Sequence, residues 1–509
     1  MMASPQTVAG LLAAQARERA DATYFLAPET GRTLTFGELE RSSRRVAALV
    51  GRLAGPPGAH VSIVMPNGLA TLRILLGAMA GGYCVNPVNL LSQAEQMRYV
   101  IDHCDSRVVF ASPDWAPKVR ELVQGIGRAI DVVEVDPDAA SLPGEESRDD
   151  SFELPEVAPG ALALLMYTSG TTGKPKGVML TQANLVANAR AISAEHRLGP
   201  SDRVTAVLPL YHINAFAVTM LAPIAHGGSL AMPPRFSATR FWELATRHGC
   251  NWLNMVPTMV SYLLEGAVPP RASIAHVRFC RTASAPLPPE HLLAFQDKFG
   301  IGVIETMGLT ETVAPAFSNP YEATKRKVGS VGKPSGCEAR IADEQGNTLP
   351  DGTPGEILIR GPQVTPGYYK NESATAAAFF PGGWLRTGDL GVRDKDGYFF
   401  VTGRIKELII KGGENIAPRE IDEVLLRHPA VLDAAAVGIP DRHYGQEIMA
   451  CVIRRPGAAC AESELHDFCV EHLGPFKTPK VFRFVEELPR GPSGKVQRLK
   501  LLDHVPTAA

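Results

Sequence analysis

The sequence predicts an α/β protein with a large N-terminal domain of mostly parallel sheets flanked by helices, followed by a small α+β domain. Its 509 residues exceed what one hydrophobic core usually organises, so two or more domains are expected. Extended apolar runs at 60–66 and 202–210 alternate with helix-like segments at 35–53 and 69–82, as in parallel β–α units. Near residue 403 the pattern changes to a compact succession of strand, glycine-rich loop and helix, which indicates the second domain.

The composition is that of an ordinary soluble globular protein. Hydrophobic residues make up 45% of the chain, charged residues 20%, and the formal net charge is −2. This balance does not suggest a nucleic-acid-binding protein or a membrane-surface polycation. The eight cysteines are scattered and form no C-x-x-C pair, so we expect reduced thiols rather than structural zinc.

The N-terminal segment predicts an amphipathic helix rather than a signal peptide. No positive charge precedes its apolar patch, and Arg17 and Arg19 follow the patch at once. No stretch of the sequence approaches the roughly eighteen uninterrupted apolar residues of a membrane span. We therefore expect a cytoplasmic protein without stable membrane insertion.

A loop rich in glycine, hydroxyl groups and lysine follows the apolar run at 161–167, which reads as a buried strand. Flexible backbone, hydroxyl donors and cations are what a polyphosphate needs. The P-loop of NTPases is a poor match, because Gly170 and Gly173 are only three residues apart and Pro175 follows Lys174. A proline there would also remove one of the backbone donors that hold the phosphates.

The loop at 168–177, TSGTTGKPKG, resembles the phosphate loop of the adenylate-forming superfamily, which includes acyl-CoA synthetases, aryl-CoA ligases, luciferases and peptide-synthetase adenylation domains. Four further motifs of that family follow in the expected order: GLTET (308–312), WLRTGDL (384–390), GRIKELIIKGGENIAPREIDEVL (403–425) and GPSGKVQR (491–498). Chance agreement of five ordered motifs is negligible. The resemblance covers nearly the whole chain and is greatest for a stand-alone acyl-CoA synthetase.

The resemblance implies a two-step reaction. A carboxylate attacks the α-phosphorus of MgATP to give acyl-AMP and pyrophosphate, and the thiol of CoA then displaces AMP. It also implies two domains, an N-terminal ATP- and acyl-binding domain at 1–404 and a mobile C-terminal lid at 405–509. Because the nucleophile and the triphosphate are both anions, catalysis should consist mainly of charge neutralisation and positioning.

Most of the implied ATP-binding residues lie in these motifs. Thr310 would reach the α-phosphate, and Glu311 would bind Mg²⁺. Met307 stands where the family commonly has an aromatic residue on the adenine, and a thioether packs against a purine less rigidly than a ring does. The ribose would be bound by Asp389 and Arg404. The phosphate loop would contribute Thr168, Ser169, Gly170, Thr171, Thr172, Gly173 and Lys176.

The implied C-terminal lid carries the remaining catalytic residues. Lys495 would bridge the substrate carboxylate and the α-phosphate, Lys406 would be the hinge, and Gly412 with Gly413 would leave room for the pantetheine arm of CoA. Each has a simpler interpretation as well. A lysine near a chain end is ordinarily solvated, and a Gly-Gly pair is ordinarily a turn.

By resemblance three segments should line the acyl pocket, at 209–220, 282–287 and 305–310, and a basic residue lies directly before the second. Arg281 and the basic run at 325–327 suggest a second acidic group on the substrate, whereas the alternative interpretation of the run is a solvated loop. Medium-chain fatty, aromatic and short dicarboxylic or sulfonated acids all remain open. By resemblance the pocket residues are His212, Ala283, Ser284, Ala285 and Gly308.

Other functions remain open at this stage. An adenylating enzyme that loads a carrier protein would share all of these motifs, and so would a non-catalytic nucleotide-binding homologue. The presence of Lys495, Glu311 and Asp389 together argues against the latter, since a binding module has no strong need for all three. We expect a small carboxylic acid, ATP and CoA as partners, and homo-oligomer formation is open.

Overall fold

The computed structural model describes residues 5–168, 174–490 and 496–504. These residues form four β-sheets and the helices that cover them, so the predicted α/β class is confirmed. Within this part of the chain, no helix combines the length and the apolar character that crossing a membrane requires.

The first sheet has nine strands, and its six central strands, from β13 to β1, are parallel. Antiparallel strands lie at both edges. In spatial order the strands are β15 (Lys333–Pro334), β14 (Ala314–Ser318), β13 (Val303–Leu309), β12 (Phe279–Thr282), β11 (Trp252–Met255), β9 (Arg203–Thr205), β10 (Ser229–Ala231), β1 (Thr23–Leu26) and β2 (Thr33–Thr35).

The second sheet has seven strands and is parallel from β7 to β6; β8 is antiparallel to β7, and the edge strand β18 is antiparallel to β8. The predicted strand at 60–66 corresponds to its interior strand β3. In spatial order the strands are β18 (Gly367–Tyr368), β8 (Lys176–Thr181), β7 (Leu162–Thr168), β4 (Cys84–Pro87), β3 (His60–Val64), β5 (Ser106–Ala111) and β6 (Asp131–Glu134).

Two smaller sheets follow along the chain, and the fourth lies over apolar clusters of its own. The third is antiparallel and contains β16 (Glu338–Ala342), β17 (Gly355–Arg360), β20 (Trp384–Arg393), β19 (Phe379–Phe380) and β21 (Phe399–Arg404). The fourth contains β23 (Glu414–Ile416), β22 (Ile409–Lys411), β25 (Gly445–Arg454), β24 (Val431–Asp441) and β26 (Val481–Phe484).

The helices of the described residues pack on these sheets. They are α1 (Val8–Arg19), α2 (Phe36–Ala54), α3 (Leu69–Ala80), α4 (Ala94–His103), α5 (Ala116–Val123), α6 (Gln182–Glu195), α7 (Ala222–His226), α8 (Phe241–Arg247), α9 (Pro257–Glu265), α10 (Arg271–Ile274), α11 (Pro289–Phe299), α12 (Glu372–Ala377), α13 (Pro418–Leu426) and α14 (Glu462–Leu473). A π-helix covers Ala215–Leu221, and 3₁₀ turns cover Ser147–Ser151, Thr310–Thr312, Ala323–Lys325, Ile405–Glu407 and Arg498–His504.

Helices α2 and α3 match their predicted segments closely. α2 begins after Thr35, whose side chain accepts from the backbone N–H of Glu38, while the Glu38 carboxylate accepts from the Thr35 N–H. This capping box satisfies two donors that the first helical turn would otherwise leave unpaired. Every residue of α3 is buried, and its apolar residues belong to the largest core cluster, while its one charged residue, Arg73, pairs with Glu145.

Close contact between α2 and α3 depends on a glycine. A Cβ on Gly77 would lie 2.5 Å from Cβ of Val46 and 3.2 Å from Cα of Ser43. Both neighbours belong to a packed helix and offer little room to relax.

We expect Gly77→Ala to lower the free energy of unfolding by about 1–3 kcal/mol, the usual cost of overpacking a core. Elsewhere in a helix the same change is normally stabilising, by about 0.5–1 kcal/mol. Denaturant unfolding measures the effect, with Gly127→Ala as the control, because nothing lies near the added methyl group there. Equal stability of the two variants would contradict the proposed tight contact.

Candidate active site

Strands β7 and β8 bring the predicted phosphate loop to one end of the second sheet. They are antiparallel, and their register pairs Thr168 with Lys176. The two predicted phosphate contacts at the base of the loop are therefore cross-strand neighbours. The remaining predicted loop residues lie outside the described residues; they are Ser169, Gly170, Thr171, Thr172 and Gly173.

The hairpin of β13 and β14 carries Thr310 and Glu311 in a single 3₁₀ turn. The hairpin closes so tightly that a Cβ on Gly308 would lie 1.8 Å from the carbonyl oxygen of Ala314. Val313 and Ala314 both adopt left-handed backbone conformations, with φ of 56° and 73°. Two consecutive residues of this kind without glycine are costly, and such strain concentrates at functional sites.

Contacts from other elements hold this turn in place. The Tyr368 hydroxyl donates to Oε1 of Glu311 over 2.9 Å, and the Thr365 N–H donates to the Glu311 carbonyl over 2.7 Å. From α6, the side-chain amide of Asn188 donates to the carbonyl oxygens of Thr312 and Pro315. Tyr368 of the second sheet thus orients the Glu311 carboxylate, while Thr365 and Asn188 hold the backbone of the turn.

Tyr368 also joins the turn to the phosphate loop. It lies on β18, which pairs with β8, and Nζ of Lys176 is 5.0 Å from the centre of its ring. Burial and the neighbouring Glu311 charge raise the pKa of Tyr368, so its hydroxyl stays protonated and donates. One tyrosine therefore contacts the predicted phosphate-binding lysine and the predicted metal-binding acid.

Asp389 and Arg404, both predicted at the ribose, are brought together by the third sheet. The register of β20 and β21 pairs the two residues, and Nε of Arg404 is 2.6 Å from Oδ1 of Asp389. Burial acts to lower the pKa of Arg404, but the charge and hydrogen bond of Asp389 raise it overall. The carboxylate is buried, so its charge is held in a fixed orientation at the end of the sheet.

Met307 lies on β13, where its register partner is Phe317. It is half-buried against an apolar cluster that includes Phe317 and Phe399. The structure thus places this methionine directly before the turn that carries Thr310 and Glu311, as the motif order requires.

Two of the segments predicted to line the acyl pocket are joined by Asn214, a polar side chain that was not singled out from the sequence. His212 and Asn214 precede the π-helix, a form that frequently marks functional sites. The amide of Asn214 donates to Oγ of Ser284 over 3.2 Å. The backbone of Ser284 adopts a left-handed conformation, with φ of 76°. Ser284 lies between Ala283, which is buried, and Ala285, which is half-buried. This hydrogen bond joins the segments at 209–220 and 282–287, whose bonded residues are 70 positions apart in the sequence.

Two of the residues in the basic run at 325–327 are occupied by local contacts. Nζ of Lys327 lies 2.5 Å from Asp394 and 2.7 Å from Asp396. The Arg326 guanidinium donates to backbone carbonyl oxygens, including that of Pro320. These contacts favour a structural role for the run over substrate binding. Arg281, in contrast, is buried.

Arg281 is wholly buried on β12, directly before the predicted pocket segment. Its Nη1 donates to Oδ1 of Asn214 over 2.8 Å and to Oδ1 of Asn254 over 2.6 Å. The arginine is therefore linked through Asn214 to Ser284. A buried cation with amide partners beside a binding segment is a typical feature of a functional site.

The implied lid residues are placed only in part. Lys406 lies in the 3₁₀ turn that follows Arg404 and precedes the fourth sheet. Gly412 and Gly413, with φ of 58° and 86°, form the two-residue turn between β22 and β23, where both central residues must be left-handed. Lys495 lies outside the described residues.

Four of these site residues were missed by sequence reasoning: Tyr368, Asn188, Asn214 and Asn254. The two asparagines at 214 and 254 carried a usable signal, since each is an amide within an otherwise apolar, buried stretch. Asn188 and Tyr368 carried none, because their partners are remote in the sequence.

Family models match most of the chain. Residues 12–369 match the model described as AMP-binding enzyme, and residues 420–495 match that of the AMP-binding enzyme C-terminal domain. The chain belongs to the AMP-binding enzyme family. The resemblance to adenylate-forming enzymes is thereby confirmed.

Curated relatives cover almost the full length. A sulfoacetate–CoA ligase from Cupriavidus necator is 56% identical over 98% of both chains. An oxalate–CoA ligase from Arabidopsis thaliana is 36% identical over 92% of this chain and 91% of its own.

Solved structures agree with the fold. ATP-bound MatB from Rhodopseudomonas palustris superposes with a TM-score of 0.91 at 29% identity, over 98% of this chain and 100% of that protein. O-succinylbenzoate CoA synthetase (MenE) from Bacillus subtilis, in complex with ATP and magnesium, gives a TM-score of 0.84 at 28% identity, covering 96% and 98%.

We expect Gly308→Ala to lower kcat/KM for ATP by about 10²-fold, because the hairpin must open and displace Thr310 and Glu311 by roughly 1 Å. Steady-state pyrophosphate release measures this loss, with Gly160→Ala as the control, since no heavy atom lies near a Cβ there. Unchanged kinetics in a folded Gly308→Ala enzyme would show that the hairpin geometry does not position these residues.

Proposed function

We propose that this chain joins sulfoacetate, a short carboxylic acid with a second anionic group, to CoA. The observation that carries the proposal is the 56% identity to a sulfoacetate–CoA ligase over 98% of both chains. The broader class is established by the family and by the relatives: the chain is an ATP-dependent acid–CoA ligase that uses a small carboxylic acid, ATP and CoA. The predicted enzyme class is confirmed at this level.

The first step demands that two anions meet. A carboxylate oxygen attacks the α-phosphorus, a new P–O bond forms, and the bond to pyrophosphate breaks with its electron pair on the leaving group. We assign Thr168 and Lys176 to the β- and γ-phosphates, together with the five loop residues, and Thr310 to the α-phosphate. Their donors and positive charge would offset the repulsion that otherwise blocks the attack.

The second step transfers the acyl group. The sulfur of CoA attacks the acyl carbon, and AMP leaves with the electrons of the C–O bond. We assign Asp389 and Arg404 to the ribose hydroxyls and Met307 to the adenine. The mutual contact of Asp389 and Arg404 supports this assignment, because it fixes a carboxylate acceptor beside a donor at the end of β21.

Mg²⁺ fits the carboxylate of Glu311. This ion is usually bound by one or two carboxylates together with phosphate oxygens and water. Within the described part of the chain, no cluster of three or more histidine, cysteine or acidic residues could hold a metal alone. A single oriented carboxylate beside a phosphate loop suits an ion that also binds the nucleotide, and a bound Mg²⁺ would neutralise phosphate charge.

We also propose that the chain divides at Lys406 into domains at 1–404 and 405–509. The 3₁₀ turn at 405–407 connects the third sheet with the fourth, so a backbone rotation there would move the fourth sheet as a unit. Such a rotation would withdraw Lys495 from the active site after the first step. It would bring the Gly412–Gly413 turn there for the second step.

The substrate proposal is tested with a panel of acids in MgATP, with and without CoA. We expect CoA-dependent AMP release to be fastest with sulfoacetate, followed by oxalate and propionate, with little from benzoate or C8–C16 fatty acids. Mass spectrometry of the thioester product checks the outcome. Preference for a fatty or aromatic acid would overturn the proposal, and acyl-AMP that accumulates equally without use of CoA would favour a carrier-protein loader.

Tyr368→Phe tests the orientation of Glu311. Removal of the hydroxyl leaves Oε1 without its donor, so we expect the Mg²⁺ concentration for half-maximal pyrophosphate release to rise about 10-fold or more. The matched control is Tyr369→Phe, since the neighbouring hydroxyl donates to Asp105 instead. Equal Mg²⁺ dependence of both variants would remove Tyr368 from the site.

A further inference from the structure

The Arg281 guanidinium is only half satisfied by the protein. Its Nη1 is occupied by the amide oxygens of Asn214 and Asn254. Its Nε and Nη2 are buried and have no hydrogen-bond partner among the residues that the structure describes. These two atoms form one edge of the planar group, and that edge is the one that engages two oxygens of an oxyanion side by side.

No protein group that the structure describes neutralises this cation. Residues 5–168, 174–490 and 496–504 contain no carboxylate in an ion pair with Arg281. Burial lowers the pKa of Arg281 to about 9, so the side chain still carries its charge at neutral pH. An unpaired buried charge costs several kcal/mol, which is difficult to reconcile with a purely structural role.

The neighbouring titratable groups do not change this balance. Burial and the Arg281 charge lower the pKa of His196 to about 3, so this imidazole is neutral at pH 7. Glu305 lies on the adjacent strand β13, where its register partner is Thr282. Because successive side chains of a strand point to opposite faces of the sheet, Thr282 and Glu305 lie on the face opposite to Arg281. The described residues therefore supply no compensating anion for Arg281.

Arg281 is connected by hydrogen bonds to the predicted acyl-pocket segment. Asn214 accepts from Arg281 through Oδ1 and donates to Ser284 through Nδ2. Asn254 donates weakly to the same Oδ1 over 3.4 Å, so the two amides hold one side of the guanidinium. The left-handed backbone at Ser284 turns the chain at this point. Arg281 therefore lies at the inner end of the segment that should line the acyl pocket.

We propose that Arg281, oriented by Asn214 and Asn254, binds the sulfonate of the substrate through Nε and Nη2 and selects short acids with a second anionic group. The inference rests on the proposed sulfoacetate–CoA ligase function and adds the residue that determines its specificity. A sulfonate presents three oxygens and remains ionised at any physiological pH, so its charge always matches the guanidinium. A neutral acid of equal size would instead leave the buried cation unpaired, and this difference disfavours such a substrate.

The test compares two acids of similar shape, sulfoacetate and 3,3-dimethylbutyrate, in which a tert-butyl group replaces the sulfonate. In Arg281→Met we expect kcat/KM for sulfoacetate, relative to that for 3,3-dimethylbutyrate, to fall by about 10²-fold or more. The loss should lie mainly in KM for the acid, with kcat changed only several-fold, because the sulfonate is bound equally in the ground and transition states. CoA-dependent AMP release measures both parameters.

A second variant tests the charge without a change in size. Asn254→Asp places a carboxylate where an amide oxygen now accepts from Arg281, so the protein itself would neutralise the guanidinium. We expect the melting temperature to rise or hold while the preference for sulfoacetate falls at least about 10-fold. Loss of function together with a gain in stability is an outcome that damage to the fold would not produce. This variant decides the matter if Arg281→Met does not fold.

Arg278→Met is the matched control. This arginine lies three residues before Arg281, but it pairs with Asp202 and contacts Tyr321 at the surface. Its loss should leave the ratio between the two acids unchanged. If Arg281→Met or Asn254→Asp keeps the wild-type ratio, the inference is wrong while the ligase function stands. If the wild-type enzyme itself does not prefer sulfoacetate over 3,3-dimethylbutyrate, the proposed function fails, and the inference fails with it.

Discussion

The hydrogen bond between Tyr368 and Glu311 joins the two large sheets at the point where the candidate site forms. Tyr368 lies on β18, the edge strand of the second sheet, beside β8, which begins at Lys176. Glu311 lies in the hairpin of β13 and β14 near the edge of the first sheet. Asn188 ties the same hairpin to α6 through two carbonyl oxygens. Together these contacts fix Lys176 and Glu311, which belong to different sheets, relative to each other. Catalysis by positioning requires that they do not shift.

Electrostatics explains why the site needs buried charges at two places. At the nucleotide end, donors and cations must offset the repulsion between a carboxylate and a triphosphate. At the acid end, the two amides that hold Arg281 leave one edge of a buried guanidinium unpaired. No carboxylate of the described residues neutralises this cation, and under the proposed function the substrate supplies the missing charge. The same physical rule, that buried charges must be paired, underlies both the proposed nucleotide contacts and the proposed acid selection.

The link between the third and fourth sheets serves a different requirement. Asp389 and Arg404, which we assign to the ribose, are register partners joined by a hydrogen bond. Only the short turn at 405–407 then separates this sheet from the next. In the proposed domain rotation, a paired strand followed directly by an irregular turn would confine the backbone change to a few residues, so the assigned nucleotide contacts would persist while the fourth sheet moved.

The sequence by itself determined the fold class, the family and the reaction, because apolar periodicity is local and the motifs are contiguous. It also predicted site roles for Thr310, Glu311, Asp389 and the glycines from their motifs alone, and these roles stay predictions. Only the tertiary structure decided that Lys327 is engaged by surface carboxylates while Arg281 is buried with an unpaired edge. The roles of Tyr368, Asn214 and Asn254 also depended on it. These assignments rest on contacts between side chains far apart in the chain, and strand register and burial, not neighbouring residues, set such contacts.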